Sequence, residues 1–542
     1  MEFPDLEPDD VPPVLVLTRR ARRRLLGAAL TLLGLLVVPY LIPPLAPVQP
    51  WRPGGGYVPF WNITARPGGD EQAMDSELHG FEELAIAAEA DGPLEPPSLE
   101  VPATPLALAP VVGARPGPEA VFPPYPGHAD DHQEVAVGVD YPEALAHYFG
   151  QLTLTDMRLE GAITRAGQWG DSVLGGDGLT HALRQRLQAR FGDAGHGFHA
   201  LSRYSIGYGH KGVRFQDRGN WRSCEIIFKC RPDQRYGYAG VSSGSSSGGE
   251  SSWQTAKGAP GDRVSRFELW YAKSPDGGRF QVKIDGQAQR VIDTRAETHE
   301  DAVEVFHVED GPHSFDVRAT GGGASRGYGV VLERDVPGVV WDELSLIGSF
   351  TQRLDYQDKE HIGWQLRRRD IDLMVFIFGG NDVQREYDDL KTEMTPYEAE
   401  YSRVVRKFRA GRPEASCLVM SLIDHGTRSE DGVRTRPIVP RLVSSQRKVA
   451  AAEGCAFFDT FRAMGGMNSI ARWFRARPQL AQPDFSHPTA AGQGVLATLF
   501  YRALMQRYAE FRRANAGAPL PALSSQNAPD AARVDAGAPR SR

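Results

Sequence analysis

One serine of this sequence stands where a nucleophile would be expected. Ser172 ends the tripeptide Gly170-Asp171-Ser172, which follows a predicted strand at 160–168 and precedes a helical pattern at 178–191. A strand-to-helix turn of this kind places a side chain at the carboxyl end of a sheet, where open α/β sheets bind ligands. The backbone N–H of Ser172, close to a helix start, can also face a developing oxyanion. Ser172 is therefore a candidate nucleophile, and a simple turn or capping serine is the alternative.

Asp484 and His487 have the spacing of a histidine base and the acid that orients it. They lie three residues apart in a polar loop, directly before a helix predicted for residues 488–512. A carboxylate that accepts a hydrogen bond from one ring nitrogen fixes the tautomer that leaves the other nitrogen facing a serine hydroxyl. The alternative to a catalytic pair is a structural one, in which Asp484 and His487 only cap the closing helix.

A third motif offers donors for an oxyanion. Gly379-Gly380-Asn381-Asp382 follows the apolar segment 373–378. The side-chain amide of Asn381 can donate to a developing oxyanion, and the glycines allow the backbone to come close to a ligand. Asp382 is predicted to brace the loop.

Three other groups of residues are weaker candidates for chemistry or binding. Ser246 fits a nucleophile elbow but lies in a Gly/Ser-rich loop, without the apolar strand that such an elbow needs. His196 and His199 have no acidic or cysteine partner at a suitable spacing, so no metal site and no cofactor are predicted. A further set of aromatic residues can either stack on sugar rings or belong to a core: Trp253, Trp270 and Tyr271.

The elements that position these motifs alternate between strand and helix. Continuous apolar strands separated by helices favour a parallel sheet covered on both faces. Helices are predicted at 143–157, 178–191, 355–369, 397–410, 441–453 and 488–512, and strands at 160–168, 373–378, 417–422 and 455–459. Residues 216–345 break this rhythm with short alternating runs and turn signals, which predict an all-β sandwich inserted into the α/β domain.

The order of the motifs resembles the SGNH/GDSL hydrolases. Gly-Asp-Ser, a later glycine, Gly-x-Asn and Asp-x-x-His follow one another over 159–215 and 346–512. This resemblance implies a three-layer α/β/α hydrolase domain in which Ser172, Asp484 and His487 form the catalytic triad. It also implies an oxyanion hole made by Ser172, Asn381 and a glycine of the second block. Gly348 is the best candidate for that glycine, and Gly240 and Gly244 are rivals.

The insertion between the serine and glycine blocks resembles one subgroup of that family, the periplasmic peptidoglycan or polysaccharide O-acetylesterases. In those enzymes the inserted module is similar to a carbohydrate-binding sandwich. The resemblance implies a hydrolase that removes O-acetyl groups from cell-envelope polysaccharide through an acyl-serine, with peptidoglycan as the narrowest form of the hypothesis. Two alternatives stay open: a polysaccharide O-acetyltransferase with the same triad, and an inactive polysaccharide-binding protein.

The N-terminal region predicts a membrane anchor. An arginine cluster at 19–24 precedes residues 25–46, which carry no charge and can cross a hydrocarbon core of about 30 Å. The positive flank favours a single-pass protein of the inner (cytoplasmic) membrane whose N-terminal side stays in the cytoplasm and whose catalytic domain faces outward. The resemblance implies that this outer side is the periplasm. A cleaved signal peptide and a buried helix are the alternatives. The net charge of −7 does not indicate a nucleic-acid-binding protein.

The sequence thus divides into seven segments. Residues 47–140 are rich in proline and acidic residues, and residues 514–542 in alanine, proline and serine, so both are predicted to be disordered. The predicted segments are a cytoplasmic basic segment 1–24, a transmembrane signal-anchor 25–46, a linker 47–140, a first hydrolase segment 141–215, the sandwich 216–345, a second hydrolase segment 346–513 and a tail 514–542.

The four cysteines predict little about the compartment. Cys224 and Cys230 flank a segment that is predicted as a strand, and an extended strand would hold them about 20 Å apart, too far for a disulfide. Cys417 and Cys455 each begin an apolar run and can lie on neighbouring strands. Two buried free thiols are expected there, and a bridge is the alternative.

Overall fold

A computed structural model describes four stretches of the chain: residues 119–256, 261–384, 393–429 and 432–524. The predicted cytoplasmic segment 1–24, the predicted signal-anchor 25–46 and most of the predicted linker lie outside these residues. Within the four stretches, no helix is both long and apolar enough to cross a membrane.

The strands and helices of the described residues follow the predicted alternation. The strands are β1 (Val139–Asp140), β2 (Ile163–Gly170), β3 (Gly195–Ala200), β4 (Val213–Arg218), β5 (Arg222–Glu225), β6 (Val241–Ser245), β7 (Glu250–Thr255), β8 (Val264–Lys273), β9 (Arg279–Ile284), β10 (Gln287–Asp293), β11 (Glu300–Gly311), β12 (Ser314–Gly321), β13 (Ser325–Glu333), β14 (Gly338–Ser345), β15 (Leu373–Ile377), β16 (Ser416–Met420), β17 (Gly426–Ser429), β18 (Gly432–Thr435) and β19 (Ala456–Phe458). The α-helices are α1 (Ala146–Asp156), α2 (Gly178–Phe191), α3 (Lys359–Arg369), α4 (Thr395–Gly411), α5 (Ile438–Ala452), α6 (Thr460–Ala463), α7 (Ser469–Arg475) and α8 (Ala490–Ala514).

A mainly parallel sheet forms the centre of the hydrolase domain. Its strand order is β1-β19-β16-β15-β2-β14, and only the edge pair of β1 with β19 is antiparallel. Helices α1, α2 and α8 contribute to the apolar core on one face, and α3, α4 and α5 to the core on the other. Strands buried on both faces must be apolar throughout, which explains their continuous hydrophobic runs. The predicted three-layer α/β architecture is confirmed for this domain.

Two antiparallel sheets pack face to face between β2 and β14 in sequence. One has the order β10-β9-β12-β7-β4, and the other has the order β11-β8-β13-β6-β5 with β3 beside β13. Aromatic and aliphatic side chains from both sheets fill the space between them, including Trp253, Phe267, Phe315 and Leu332. This arrangement is a β-sandwich.

The limits of the sandwich differ from the predicted 216–345. Strand β3 precedes residue 216, yet it pairs with β13 of the sandwich. Strand β14, at the predicted end of the insertion, pairs in parallel with β2 and forms an edge of the central sheet. Both strands are buried along their whole length, so their sequences do not show which sheet they join.

Buried ion pairs connect the sandwich to the hydrolase domain. Glu333 of β13 accepts hydrogen bonds from Arg165 of β2, with an Nη2–Oε2 distance of 3.0 Å, and from Arg369 of α3. The same Arg369 donates to Asp342 of β14 at 2.8 Å. Removing one partner of such a buried network leaves an uncompensated charge, which is strongly destabilising. The sandwich is therefore held in a fixed position on this side of the domain.

All four cysteines form disulfides, contrary to the predicted free thiols. Strand β5 ends at Glu225 and a 3₁₀ turn follows at Ile226–Phe228, so Cys224 and Cys230 come within 6.0 Å at their Cα atoms. The strand predicted across this segment is wrong for that reason. Cys417 lies on β16 and Cys455 directly before the neighbouring β19, with a Cα–Cα distance of 4.6 Å.

Parts of the predicted linker and tail are ordered. Phe122 donates its backbone N–H to Ala518 at 2.8 Å, and its ring packs edge-on against Phe511 of α8. Ser524 donates its backbone N–H to the side chain of Gln151 on α1 at 2.9 Å. The prediction of disorder therefore fails for residues 119–140 and 515–524, whose scattered apolar residues pack onto α1 and α8 without any periodic pattern of their own.

Candidate active site

Ser172 lies immediately beyond the carboxyl end of β2, the strand next to the edge strand β14 of the parallel sheet. The strand ends at Gly170, and a 3₁₀ turn begins at Ser172. Asp171 caps this turn, because its Oδ1 accepts the backbone N–H of Val173 at 3.0 Å. The Ser172 side chain is half-buried, which leaves its hydroxyl open to a ligand at the sheet edge.

The structure brings the three predicted triad residues together. The distance from Ser172 Oγ to His487 Nε2 is 2.8 Å, and the distance from His487 Nδ1 to Asp484 Oδ2 is 2.7 Å. The other carboxylate oxygen of Asp484 accepts the backbone N–H of His487 at 3.1 Å. The histidine is thus oriented by the acid and faces the serine, which is the geometry that nucleophilic acyl transfer requires.

The electrostatics of this pair suit a general base. Partial burial opposes ionisation of Asp484, but hydrogen bonds from His487 and from the N–H of Ser486 outweigh it and lower the pKa of Asp484 to about 2. The hydrogen bond to Asp484 also raises the pKa of His487 above its usual value of 6.5, although burial acts in the opposite direction. A stronger base is a better acceptor for the serine proton.

The predicted oxyanion residues lie on loops of the three adjacent strands β14, β2 and β15. Gly170 at the end of β2 pairs with Ser345 on one side and Ile377 on the other. Gly348 follows β14 and has a positive φ of 79° with open space around it. Asn381 follows β15, and its Nδ2 donates to the carbonyl of Ser349 at 3.0 Å. The loops of Gly348 and Asn381 are thus joined at the sheet edge that carries Ser172.

The two rival glycines are placed elsewhere. Gly240 donates its backbone N–H to the carbonyl of Gly237 at 3.0 Å. Gly244 lies inside β6, where it pairs with Arg222 and Arg326 of the sandwich. Neither glycine follows a strand of the central sheet, so Gly348 is the candidate that the fold favours.

Asp382 holds the loops of Gly348 and Asn381 together, as the sequence predicts. Its Oδ2 accepts the backbone N–H of Thr351 at 3.0 Å and the hydroxyl of Thr351 at 2.8 Å. Because Thr351 follows Gly348 closely and Asp382 follows Asn381, this carboxylate fixes one loop against the other. Both hydrogen bonds run between the loops, so Asp382 acts by positioning them.

Asp171 has a positioning role that the sequence did not assign. Its Oδ2 accepts the backbone N–H of Gly380 at 3.0 Å, which ties the third motif to the turn that carries Ser172. Burial raises the pKa of Asp171 to about 6, although the two backbone hydrogen bonds favour the charged form. The Gly-Asp-Ser tripeptide therefore supplies both the serine and a brace for the neighbouring loop.

A small cavity adjoins Ser172, and one residue in its wall was not predicted from the sequence. The cavity has a volume of about 10 Å³, which is room for a single water-sized group. His425, which carries no recognisable motif, lies in its wall. The lining residues are Asp171, Ser172, Val173, Ile377, Phe378, Gly380, Leu422, Ile423, His425, Ser486 and His487.

The competing candidates lie outside this site. Ser246 is exposed in the connection between β6 and β7. His196 and His199 are buried on β3, and within the described ranges no cluster of side chains suits a metal ion. His196 Nε2 instead pairs with the carbonyl of Gly261, and the ring of His199 lies against His210 with centroids 3.8 Å apart.

The three aromatic residues considered for sugar stacking belong to the core. Trp253 and Trp270 are fully buried, and Tyr271 is 3% exposed. Trp270 donates its indole N–H to Glu268 at 2.9 Å and packs against Trp364 of α3. Sugar contact by these rings is excluded, because all three side chains are buried.

Comparison with protein families matches residues 311–495 to the GDSL-like lipase/acylhydrolase family. The matched region includes Gly348, Asn381, Asp484 and His487, while Ser172 precedes it and is separated from it by most of the sandwich. No curated protein sequence matches the chain.

Several solved structures resemble the chain. A peptidoglycan O-acetylesterase is 19% identical and superposes with a TM-score of 0.56 over 68% of this chain and 98% of its own. A catalytic mutant of the acetylxylan esterase Axe2 from Geobacillus stearothermophilus is 20% identical, covers 31% of this chain and 73% of its own, and has a TM-score of 0.24. The salicylyl-acyltransferase SsfX3 of a tetracycline biosynthetic pathway is 15% identical, covers 54% and 94%, and has a TM-score of 0.25. The first of these shares the fold of this chain.

Proposed function

We propose that this chain, which belongs to the GDSL-like lipase/acylhydrolase family of ester-bond hydrolases, removes O-acetyl groups from a polysaccharide of the cell envelope. Peptidoglycan is the favoured polymer. The observation that carries the proposal is the hydrogen-bonded series Ser172–His487–Asp484 at the edge of the sheet, with distances of 2.8 and 2.7 Å.

The reaction proceeds in two acyl-transfer steps. Ser172 Oγ attacks the acetyl carbonyl while His487 Nε2 takes its proton, and Asp484 stabilises the resulting imidazolium. The N–H groups of Ser172 and Gly348 and the amide of Asn381 receive the negative charge on the carbonyl oxygen. His487 then returns its proton to the sugar oxygen, which leaves as an alcohol. A water molecule, deprotonated by His487, attacks the acetyl-serine, and acetate and free Ser172 are released.

The size of the site supports a small acyl group. A cavity of about 10 Å³ beside Ser172 is too small for a long alkyl chain, whereas a methyl group is about the size of a water molecule. The polymeric alcohol must then lie outside the cavity, on the open surface at the sheet edge.

The position of the β-sandwich supports the proposal that the alcohol half of the ester is a polymer. Buried ion pairs fix it to the hydrolase domain, so it presents a constant surface beside the catalytic domain. The superposition with the solved peptidoglycan O-acetylesterase covers 68% of this chain, which is more than the two hydrolase segments 141–215 and 346–513 contain together. A fixed neighbouring surface can position a polymer and so contribute through proximity.

We propose that the catalytic domain lies outside the cytoplasm, attached to the inner membrane by residues 25–46. Two disulfides in the described residues support this location, since disulfides form and persist in oxidising compartments. A phosphatase fused after residue 60 should be active in this topology. An inactive fusion, or a mature N-terminus beyond residue 45, would refute the anchor.

The proposed activity is tested with the purified protein on two kinds of substrate. Acetate release from O-acetylated peptidoglycan is measured beside hydrolysis of nitrophenyl esters with acyl chains of two to twelve carbons, with Ser172→Ala as the control. We expect acetate release and a preference for the acetyl ester, both abolished in the control. A preference for chains of eight or more carbons, without acetate release from any polysaccharide, would refute the proposal. Transfer of acetyl to an added sugar instead of water would identify a transferase.

A further inference from the structure

His425 is held in the active-site cavity by its backbone. It is the last residue of the loop between β16 and β17. Its carbonyl accepts the N–H of Arg436 at 2.8 Å, and the next residue, Gly426, donates its N–H to the carbonyl of Phe485 at 2.7 Å. Phe485 directly follows Asp484, so this loop is anchored to the loop that carries the base.

The imidazole ring of His425 lies close to the backbone of the third motif. A Cβ atom added to Gly380 would lie 3.2 Å from both Cε1 and Nε2 of the ring, which is tighter than most side-chain contacts. His425 is 6% exposed and lines the cavity together with Ser172 and His487. Its ring therefore limits the space next to Gly380, in the cavity beside Ser172 that the proposed function assigns to the acyl group.

The histidine remains uncharged in this place. Burial, followed by the positive charge of His487, lowers the pKa of His425 to about 3. A neutral ring beside apolar neighbours such as Phe378, Leu422 and Ile423 leaves a cavity that can accept a methyl group without burying a charge. His425 also cannot replace His487 as the base, since it makes no described hydrogen bond to Ser172.

We propose that His425 is the specificity-determining residue of the acyl site, whose ring closes the cavity and restricts the acyl group to acetyl. The inference rests on the proposed function, because it assumes that the acyl half of the ester enters the cavity. The alcohol half, a polymer, cannot enter a cavity of about 10 Å³. Shortening the side chain at this position opens the cavity in the direction of a longer acyl chain.

The experiment uses a series of substitutions that shorten the side chain in steps. The ratio of kcat/KM for nitrophenyl butyrate over nitrophenyl acetate is measured for His425→Gln, His425→Asn and His425→Ala. One methylene in a hydrophobic pocket discriminates by roughly 10–200-fold. We therefore expect the ratio to rise at least about tenfold in His425→Ala, less in His425→Asn, and by less than about threefold in His425→Gln, which is nearly as large as histidine.

A control and a second readout separate the two proposals. His307→Ala, at a side chain of the sandwich that is 67% exposed, should leave the ratio unchanged. The rate at which nitrophenyl methylphosphonate and butylphosphonate label Ser172, followed by mass spectrometry, reports the same cavity without any turnover of polysaccharide or acetate. Urea unfolding verifies that each variant is folded, and His425→Asn supplies the test if His425→Ala does not fold.

The outcomes are distinct. An unchanged butyrate-to-acetate ratio and an unchanged phosphonate selectivity in folded His425→Ala or His425→Asn would overturn the role of His425. If the wild-type protein releases no acetate from any polymer but its phosphonate selectivity shifts in the variants, the proposed substrate fails while the acyl site stands.

Discussion

The disulfide between Cys417 and Cys455 should contribute more to stability than the one between Cys224 and Cys230. The first joins two neighbouring strands of the central sheet and closes a loop of 38 residues, and the second closes a loop of 6. A crosslink acts mainly by limiting the freedom of the unfolded chain, and the effect grows with loop length. We would compare two double variants, each with both cysteines of one bridge replaced by alanine.

The chain-entropy relation gives the magnitude. It predicts a loss in the free energy of unfolding of about 4 kcal/mol for the Cys417–Cys455 bridge and about 2 kcal/mol for the Cys224–Cys230 bridge. Cys417 and Cys455 are also fully buried, so removing their sulfur atoms leaves unfilled space that adds to the first loss. The free energy of unfolding of a domain of this size depends on urea by about 3 kcal/mol per M. The urea midpoint of the variant without the Cys417–Cys455 bridge should therefore fall by roughly 1 M or more.

The assay is urea unfolding followed by tryptophan fluorescence, with residual esterase activity as a second probe. Thiols are counted in the unfolded, unreduced wild-type protein, where no reactive thiol is expected because all four cysteines are paired. Four reactive thiols in protein isolated from an oxidising compartment would refute the pairing. Equal losses in the two variants, or a larger loss for the Cys224–Cys230 variant, would refute the reasoning from loop length.

Four further predictions concern the active site. Ser172→Ala should lower ester hydrolysis at least about 10³-fold and abolish labelling by a fluorophosphonate, because the triad acts as a unit; retained labelling would disprove the assignment. Catalysis needs neutral His487, and the hydrogen bond to Asp484 raises the pKa of this histidine. Activity should therefore fall as the pH drops through a midpoint above 6.5. Full activity at about pH 4.5 would contradict the assignment of His487 as the general base. In Asp484→Asn, kcat should fall by roughly 10⁴-fold and the residual activity should have its midpoint at lower pH. Asp382→Ala should lower the free energy of unfolding by about 1–3 kcal/mol, because the N–H of Thr351 loses its buried acceptor. In this variant kcat should fall roughly tenfold or more, while the fluorophosphonate still labels Ser172. An unchanged kcat would show that Asp382 is not needed to position the loops.

The sequence alone was sufficient to select the three candidate triad residues and Asn381, but it did not indicate the roles of Asp171 and His425. Asp484 and His487 are close along the chain, so a local turn brings them together wherever the loop lies. Ser172 and Asn381 are far apart in sequence, but each follows an apolar strand, and parallel strands end at the same edge of a sheet. The alternation of strands and helices therefore determined both the fold class and the common position of these motifs.

Other features depend on contacts that no local pattern encodes. Trp270 lies in an alternating strand, a pattern that predicts one solvent-facing side, but the sheet that carries it is covered by the other sheet on one face and by α3 on the other. Strand β14 belongs to the central sheet because it pairs with β2, and β3 belongs to the sandwich because it pairs with β13. The Cys224–Cys230 bridge required β5 to end at Glu225, which an apolar run does not reveal.

His425 shows most clearly what only the tertiary structure decided. The neighbouring sequence contains no motif, and a single histidine after a buried strand commonly has a purely structural role. It reaches the cavity because β16 lies beside β15 in the sheet and because backbone hydrogen bonds hold the next residue against the loop of Asp484. The size of the acyl site is thus set by the packing of two loops that are distant in sequence, since the free volume of a cavity depends on every atom around it and not on the residues of any one segment.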